Sequence, residues 1–457
     1  MGRSEAADIK IAVRMIHNRK NTDMRPKFLN ALINRILLLT ATVISLGIQL
    51  FVLSGEQVHE VVTKLVILIL GVLAFIISMS SNKVRRGSEY KFAIRYSLFT
   101  VGITTLFILY TKNNYGYTFY QALVAGVPNY YVVFSVPIAQ ILSSNRDKKF
   151  ITDFLLKIII FFVLIRTLSW IIYNFSGSSL LRNFATEYDG WIRGGRIRLI
   201  GGSLFGIAYI LLVDKAISNR SRGYIRINRH KTINMYTVLV LFMILYTVFV
   251  SATRYAAAAM IVTYVIALYF SRRDDYSKFA ILGILLFSFV MLFLGGFASS
   301  FIRSFSTQGT LGASTLARVD GLTHFWKLFL SVGNGFGLGF VLDGNTTEDL
   351  FYRTSWLRYY LGDLGIIGSF FRFGIFIIPL YLWPFFKTIK VCVTSKKRRS
   401  NNTGLMLALT CYMILISLGS NLYEPNIAFA VPFYIAMISV EDGNNKNAKV
   451  NNIRQTR

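Results

Sequence analysis

The chain has 457 residues, of which 54% are hydrophobic and 16% are charged, and its net charge is +29. The apolar residues form blocks long enough to cross a bilayer, which takes about 20 residues each, and this excludes an ordinary soluble enzyme. The positive charge would suit nucleic acid, but Lys and Arg lie between the apolar blocks, where they set membrane topology and attract lipid headgroups. No nucleic-acid partner is therefore expected.

A basic arm, residues 1–31, precedes about twelve predicted spans. The spans cover residues 32–53, 61–79, 92–111, 119–142, 150–173, 197–213, 233–251, 255–270, 279–297, 362–386, 404–420 and 427–440. Helices are expected because a span must satisfy its own backbone groups in lipid. We predict an all-α polytopic membrane protein: transmembrane helices 1–9 in residues 32–297, a long extracytoplasmic loop at 298–361, and helices 10–12 in residues 362–440. The Asn- and Lys-rich tail, 441–457, is expected to be disordered.

Basic residues concentrate in alternate connections between the spans. These connections are the first 31 residues, 83–91, 146–149, 215–231, 272–278, 387–399 and the tail. By the positive-inside rule they are cytoplasmic, as are both termini, and the first helix is an uncleaved insertion signal. Cys392 and Cys411 support neither a disulfide framework nor a cysteine metal site.

The long loop carries an amphipathic pattern followed by a glycine-rich run. Apolar residues spaced by threes and fours predict a helix over Ser314–Val332, lying at the outer membrane surface. Such a helix places Arg318, Asp320 and His324 near the headgroups. Beyond it, the run 333–339 permits tight turns and close approach of the backbone to a ligand.

Arginines on the outer side are the main chemical signal, because the positive-inside rule does not explain them. They are Arg193, Arg196 and Arg198 before the sixth span, Arg254 in a short turn, Arg318 in the loop helix and Arg353 before the tenth span. Guanidinium groups match phosphate oxygens and stay charged, so several together would bind a diphosphate without a metal. The alternatives are headgroup anchoring or pairing with acidic residues. Arg166, in mid-span, is either structural or functional.

Three residues are candidate bases. His324 can take a proton near neutral pH, and Asp320 lies four residues earlier, where the two side chains can pair. Asp363 begins the tenth span and is either a base or an arginine partner. An interfacial role is the alternative for His324. The outer connections contain no Asp-x-Asp pair, so no metal and no other cofactor are expected.

Four segments, in this order, resemble the O-antigen polymerase and O-antigen ligase family of bacterial envelope glycosyltransferases. They are the arginine-glycine stretch 193–202, the serine-x-x-arginine turn 251–259, Arg318 with Trp326 and the glycines 333–339, and the helix opening 360–368. Ligases of this family place a histidine just before that last helix. This chain has Arg353-Thr-Ser-Trp-Leu-Arg358 there, which favours a polymerase.

The resemblance implies metal-independent, inverting transfer between polyprenyl-diphosphate-linked oligosaccharides at the bacterial cytoplasmic membrane. Arg254, Arg196 and Arg198 would hold the departing diphosphate, with Arg193, Arg318, Arg353, Gly335 and Gly337 as further substrate contacts. Trp326 would stack on a sugar or belong to an interfacial aromatic belt. Membrane lipids, a chain-length regulator and a flippase are the expected partners. A ligase, a lipid-linked oligosaccharide flippase and a secondary transporter remain the alternatives.

Overall fold

The computed structural model describes residues 30, 32–47, 57–177, 192–193, 196–218, 224–228, 231–270, 312–340, 361–398, 400, 402–423 and 427–455. The helices are α1 (Leu32–Gly47), α2 (Gln57–Met79), α3 (Asn82–Arg86), α4 (Lys91–Tyr115), α5 (Phe119–Tyr130), α6 (Ser135–Leu142), α7 (Asn145–Ser176), α8 (Phe205–Ile217), α9 (Met235–Leu245), α10 (Arg254–Tyr269), α11 (Gly312–Ser331), α12 (Gly365–Phe373), α13 (Trp383–Lys397), α14 (Thr403–Gly419) and α15 (Val431–Gln455). Short 3-10 or π segments cover Tyr131–Phe134, Tyr246–Val250, Leu361–Leu364, Gly374–Phe376, Ile378–Leu382 and Ala428–Ala430. Two antiparallel hairpins pair β1 (Ile192–Arg193) with β2 (Arg196–Ile197) and β3 (Tyr224–Asn228) with β4 (Lys231–Asn234).

Four of the described helical stretches are long and apolar enough to cross a membrane. They are Val61–Met79, Lys91–Tyr115, Phe119–Leu142 and Asn145–Ser176, and a bent pair, Gly365–Phe376 with Ile378–Lys397, makes a fifth if it is one span. Shorter apolar helices cover Leu32–Gly47, Met235–Val250, Tyr255–Tyr269 and Thr403–Gly419. The prediction of a helical chain with helices suited to a membrane is confirmed. The predicted span 279–297 lies outside the described residues.

The connection between α4 and α5 shows how local sequence sets a tight turn. α4 ends at Gly116, whose φ of +70° is the left-handed conformation that glycine adopts without strain. The Thr118 hydroxyl accepts a hydrogen bond from the Gln121 backbone N–H at 3.2 Å, and the Gln121 side chain accepts one from the Thr118 N–H at 2.9 Å. This capping box satisfies the first donors of α5, so the chain reverses within a few residues.

The predicted inner connections meet at one end of the helical bundle, which we call the basic end. Arg35 of α1 pairs with Asp147 at the start of α7. Lys215 at the end of α8 lies 2.6 Å from the Asp153 carboxylate, and α13 reaches the same region through its last, lysine-rich turns. These contacts bring segments that are far apart in sequence to the same end of the bundle.

The predicted sixth span, 197–213, is helical only in its second part. Residues 196–197 are a strand, residues 198–200 have no regular secondary structure, and α8 begins at Phe205. Gly202 has a φ of +85°, which a helix cannot contain. The helix start was therefore placed too early, because the apolar residues Ile197, Leu199 and Ile200 belong to a non-helical segment.

The predicted tenth span, 362–386, is bent and not one continuous helix. The helices Gly365–Phe376 and Ile378–Lys397 meet at an angle of 118°, next to Gly374, whose φ is +52°. A Cβ atom at residue 374 would collide with the carbonyl oxygen of Phe336. The bend therefore depends on a neighbouring backbone segment and not on local sequence alone.

The C-terminal tail is helical, so the prediction of disorder from Glu441 onward is wrong. α15 continues to Gln455, and Glu441 and Asp442 are both buried. The Glu441 carboxylate accepts hydrogen bonds from Ser395 and Ser400 at 2.8 and 2.9 Å, and Lys387 lies 2.7 Å from Asp442. These contacts with α13 and the turn after it stabilise a polar sequence as a helix.

Candidate active site

The arginine-glycine segment lies against the helix that precedes the serine-x-x-arginine turn. The Leu199 N–H donates to the Val250 carbonyl at 3.0 Å, and the Tyr246 hydroxyl donates to the Leu199 carbonyl at 2.8 Å. From the other side, the Trp170 indole N–H donates to the Ile197 carbonyl at 3.0 Å. The segment is thus held between α7 and the π-helical end of α9, although it is neither helix nor regular sheet.

Arg198 joins this segment to the turn before α10. Its Nε donates to the Ser251 carbonyl at 3.2 Å, and the Ser251 and Thr253 hydroxyls share a hydrogen bond of 2.9 Å. Ala252, between them, has a φ of +49°, so the turn is tight. Arg254 follows as the first residue of α10. Two of the chain segments that carry predicted arginines are far apart in sequence, and they therefore meet at this turn.

The first turn of α10 adds backbone chemistry to these side chains. The N-cap residue Thr253 makes no side-chain hydrogen bond to the helix. Helix N-termini carry partial positive charge and exposed N–H donors, and they bind phosphate readily. Arg254 is the first residue of α10, so the positive end of this helix dipole lies at the serine-x-x-arginine turn.

The turn that contains Asp363 is connected to α10 through the end of α14. A Cβ atom at Gly419 would collide with the Tyr255 ring, and one at Gly365 would lie 2.5 Å from the Leu418 carbonyl oxygen. The Tyr255 ring and the backbone at Gly365 therefore both contact the same helix terminus. The structure brings the elements that carry Arg198, Arg254 and Asp363 together at the end of the bundle opposite the basic end.

Arg193 and Arg196 occupy facing positions in the small hairpin of β1 and β2. Their Cα atoms are partners in the strand register. The hairpin leads directly into the segment that contains Arg198, so three predicted arginines follow one another toward the turn at Ser251. Arg353 lies outside the described residues.

The predicted loop helix is present as α11, over Gly312–Ser331. It is attached to α12 through Phe325 and Phe329, which are buried against Phe371 and Leu361. Four other apolar residues, Val319, Leu322, Trp326 and Leu330, are exposed. A helix that buries one apolar row and exposes another is suited to lie between protein and lipid.

The predicted site residues of α11 differ in exposure. Arg318 and Asp320 are exposed, and His324 is half-buried with its ring 5.4 Å from that of Phe325. Trp326, also exposed, contacts the Phe371 ring at 6.0 Å between centroids. Through Phe325 and Phe329, α11 contacts the 361–373 region, which contains Asp363. Their predicted roles in catalysis and sugar binding stay predictions.

The glycine-rich run has a packing role in the fold. The N–H groups of Leu338 and Gly339 donate to the carbonyls of Phe371 and Arg372 at 2.8 and 2.9 Å. A Cβ atom at Gly337 would lie 2.6 Å from the Arg372 carbonyl oxygen. The sequence indicated that the backbone of this run comes close to a ligand. For Gly337, the structure shows that the close neighbour is the protein backbone at Arg372. A Cβ at Gly335 meets nothing within 4 Å, so its substrate role stays an open prediction.

Arg166 also belongs to this site, and the sequence alone did not show whether its role is structural or functional. It is only 7% exposed, donates to the Ile200 carbonyl from mid-α7, and lies 4.7 Å above the Phe162 ring. A buried arginine in a span is costly without such partners. Arg166 therefore holds the arginine-glycine segment in place through the Ile200 carbonyl. In the sequence, a charged residue in the middle of a predicted span was the signal for such a role.

Comparison of the chain with protein-family models and with curated proteins finds no match. Within the described ranges, no group of three or more His, Cys, Asp or Glu side chains is arranged to hold a metal ion.

Proposed function

We propose that the chain is a polysaccharide polymerase of the bacterial cytoplasmic membrane. It joins polyprenyl-diphosphate-linked oligosaccharide repeat units on the outer face, by metal-independent and inverting glycosyl transfer. In this proposal about 12 helices span the membrane, both termini and the basic end are cytoplasmic, and residues 298–361 form the long outer loop.

The observation that carries the proposal is the contact between Arg198 and the Ser251 carbonyl. It joins the arginine-glycine segment to the N-terminus of α10, where Arg254 stands. Arginine side chains beside a helix N-terminus form a site for an anion with several oxygens, and a diphosphate is such an anion. The end opposite the basic end is where a lipid-linked donor in the outer leaflet would present its diphosphate.

The chemistry follows from the charge at this site. A hydroxyl of one repeat unit attacks the anomeric carbon of the growing chain, whose bond to the diphosphate oxygen breaks. The diphosphate leaves with the bonding electrons, and the arginines stabilise the negative charge that develops. The hydroxyl proton passes to a base, for which Asp363, Asp320 and His324 are the candidates. Arg166 acts as a positioning residue through the Ile200 carbonyl.

The test is the replacement of Arg254 by Ala, with Arg85→Ala as the matched control. Arg85 is an exposed arginine of α3 at the basic end, where it contacts Asn82. We expect Arg254→Ala to abolish polymer at normal membrane abundance, and Arg254→Lys to restore little, since lysine lacks the paired donors of a guanidinium group. Arg85→Ala should leave polymer length unchanged. Polymer of normal length from Arg254→Ala would refute the proposal.

The bent helix pair after Gly365 is the observation that favours a second candidate, a lipid-linked oligosaccharide flippase or another transporter. Transporters use broken helices whose freed backbone groups bind substrate or ions. Here, however, the carbonyls of Phe371 and Arg372 near the break accept hydrogen bonds from Leu338 and Gly339. These backbone groups serve packing within the protein, so the polymerase remains the better-supported proposal.

A further inference from the structure

A second polar site lies at the basic end, away from the arginine cluster. A cavity of about 1180 Å³ opens there between the start of α7, the end of α8, the turn before α14 and the polar part of α15. Its lining includes Lys148, Lys149, Lys215, Asp214, Arg398 and Asn402. Ligand pockets typically measure about 300–1,000 Å³, so this space is large enough for a polar headgroup.

Two carboxylates of this cavity, Asp153 and Glu441, already have partners, and burial favours the neutral form of the third, Asp214. Asp153 pairs with Lys215 at 2.6 Å, and Glu441 accepts hydrogen bonds from neutral donors, including the Asn402 side chain at 2.8 Å. Burial raises the pKa of Asp214 to about 6, although the nearby Lys148 opposes this, so the carboxyl group takes a proton more readily than an ordinary aspartate.

Two lysines of the cavity have no direct salt bridge within the described part of the chain, although Lys148 also interacts electrostatically with Asp214. The Lys148 ammonium donates to the neutral Asn402 side-chain oxygen at 3.3 Å. Neither Lys148 nor Lys149 forms an ion pair with any residue that the structure describes. An anion that enters the cavity would therefore meet adjacent ammonium groups and amide donors, which suits phosphate oxygens.

The cavity continues into a groove along the outer face of α7. A smaller cavity of about 370 Å³ shares Lys149 and Asp153 with the first, and it adds Arg146, Phe150, Phe154 and Lys157. Residues 150, 154, 157, 161, 164 and 168 are spaced by fours and threes, so they lie on one helix face. Phe150, Phe161, Leu164 and Leu168 on this face are each at least half exposed. A charged pocket thus passes into an exposed helix face, the apolar stripe, whose side chains are apolar apart from Lys157.

We propose that this site binds a phosphate-bearing membrane lipid of the leaflet at the basic end. The lipid phosphate lies between Lys148 and Lys149 in the cavity, and the acyl chains follow the apolar stripe of α7. The amphipathic ligand is inferred from the continuity of the two surfaces: a free anion would use the cavity alone, and a neutral lipid would use the stripe alone.

The test uses the purified full-length protein in detergent, titrated with phosphatidylglycerol, with phosphatidylcholine and with inorganic phosphate while binding is followed by native mass spectrometry. We expect phosphatidylglycerol to bind at least tenfold more tightly than either other probe. The double variant Lys148→Ala/Lys149→Ala should weaken its binding by about twentyfold to thirtyfold, since each lysine near an anionic lipid contributes about one kcal/mol. Leu164→Gln, on the stripe, should weaken the lipid but not inorganic phosphate.

Lys390→Ala is the matched control, because Lys390 is an exposed lysine of α13 outside both cavities, and it should leave binding unchanged. Thermal unfolding checks that each variant is folded. Equal binding of phosphatidylglycerol and phosphatidylcholine, or no loss in a folded double variant, would overturn the proposal. Inorganic phosphate bound as tightly as the lipid, with no effect of Leu164→Gln, would mean a site for free phosphate and would also overturn it.

Discussion

Gly335 and Gly337 were both predicted to contact substrate, and replacing each by Ala separates this role from packing. They are two residues apart in the same run, and both have positive φ, +71° for Gly335 and +138° for Gly337. They differ in their surroundings. A Cβ at 337 would lie 2.6 Å from the Arg372 carbonyl oxygen, whereas a Cβ at 335 meets no atom within 4 Å.

The structure predicts a different loss of folding stability for each substitution. Gly335→Ala places an alanine in the left-handed region, which costs about 1–2 kcal/mol. Gly337→Ala costs about 1–3 kcal/mol in backbone strain. It also forces apart a backbone pair joined by the Leu338 to Phe371 and Gly339 to Arg372 hydrogen bonds, each contributing roughly 0.5–1.5 kcal/mol. The sum for Gly337→Ala is about 2–6 kcal/mol, with a centre near 4 kcal/mol.

The assay is thermal unfolding of the purified variants in detergent, together with membrane abundance and polymer length in cells. We expect Gly337→Ala to lower the unfolding midpoint at least twice as far as Gly335→Ala and to reduce abundance. Gly335→Ala should keep its abundance, so loss of polymer in that variant would identify Gly335 as a substrate contact. Equal midpoints for the two variants would refute the packing argument for Gly337.

Two further predictions concern single charged residues. Arg166→Leu leaves the Ile200 carbonyl without its charged donor, so we expect the free energy of unfolding to fall by about 1.5–3 kcal/mol and the polymer to be shorter. Arg166→Lys should recover part of both. Normal polymer and an unchanged unfolding midpoint in Arg166→Leu would contradict the positioning role. Asp214 has its pKa raised from 3.8 to about 6 by burial, so the folded state holds the proton more tightly and stability falls as pH rises from about 4 through 6. Asp214→Asn should therefore raise the unfolding midpoint at pH 7.5 and have little effect at pH 4, and an equal gain at both pH values would contradict this assignment.

The spans predicted from local composition correspond best to the structure. Residues 61–79 and 119–142 fall on helical stretches with closely matching bounds, because every backbone bond of a helix is made within the segment itself. The arginine-glycine stretch and the turn at Ser251 were also predicted as one site, and the Arg198 contact brings them together. That these two segments form one substrate site stays a prediction.

What the sequence did not reveal depends on contacts between distant segments. The bend at Gly374 requires the Phe336 backbone, and the helical tail requires Ser395 and Ser400 around Glu441. A polar, Asn-rich stretch reads as disordered when its partners are unknown. The glycine run likewise indicates that another group lies close to its backbone, but the sequence does not show which group. For Gly337 that group is the backbone at Arg372.

The most direct test of the proposed polymerase is made in a strain that lacks the gene. Polyprenyl-linked glycans are extracted, and an impermeant reagent reports on which membrane face the single repeat units lie. The proposal predicts single units on the outer face and no polymer. Units confined to the inner face would contradict it in favour of a flippase, and full-length polymer still attached to its lipid would contradict it in favour of a ligase.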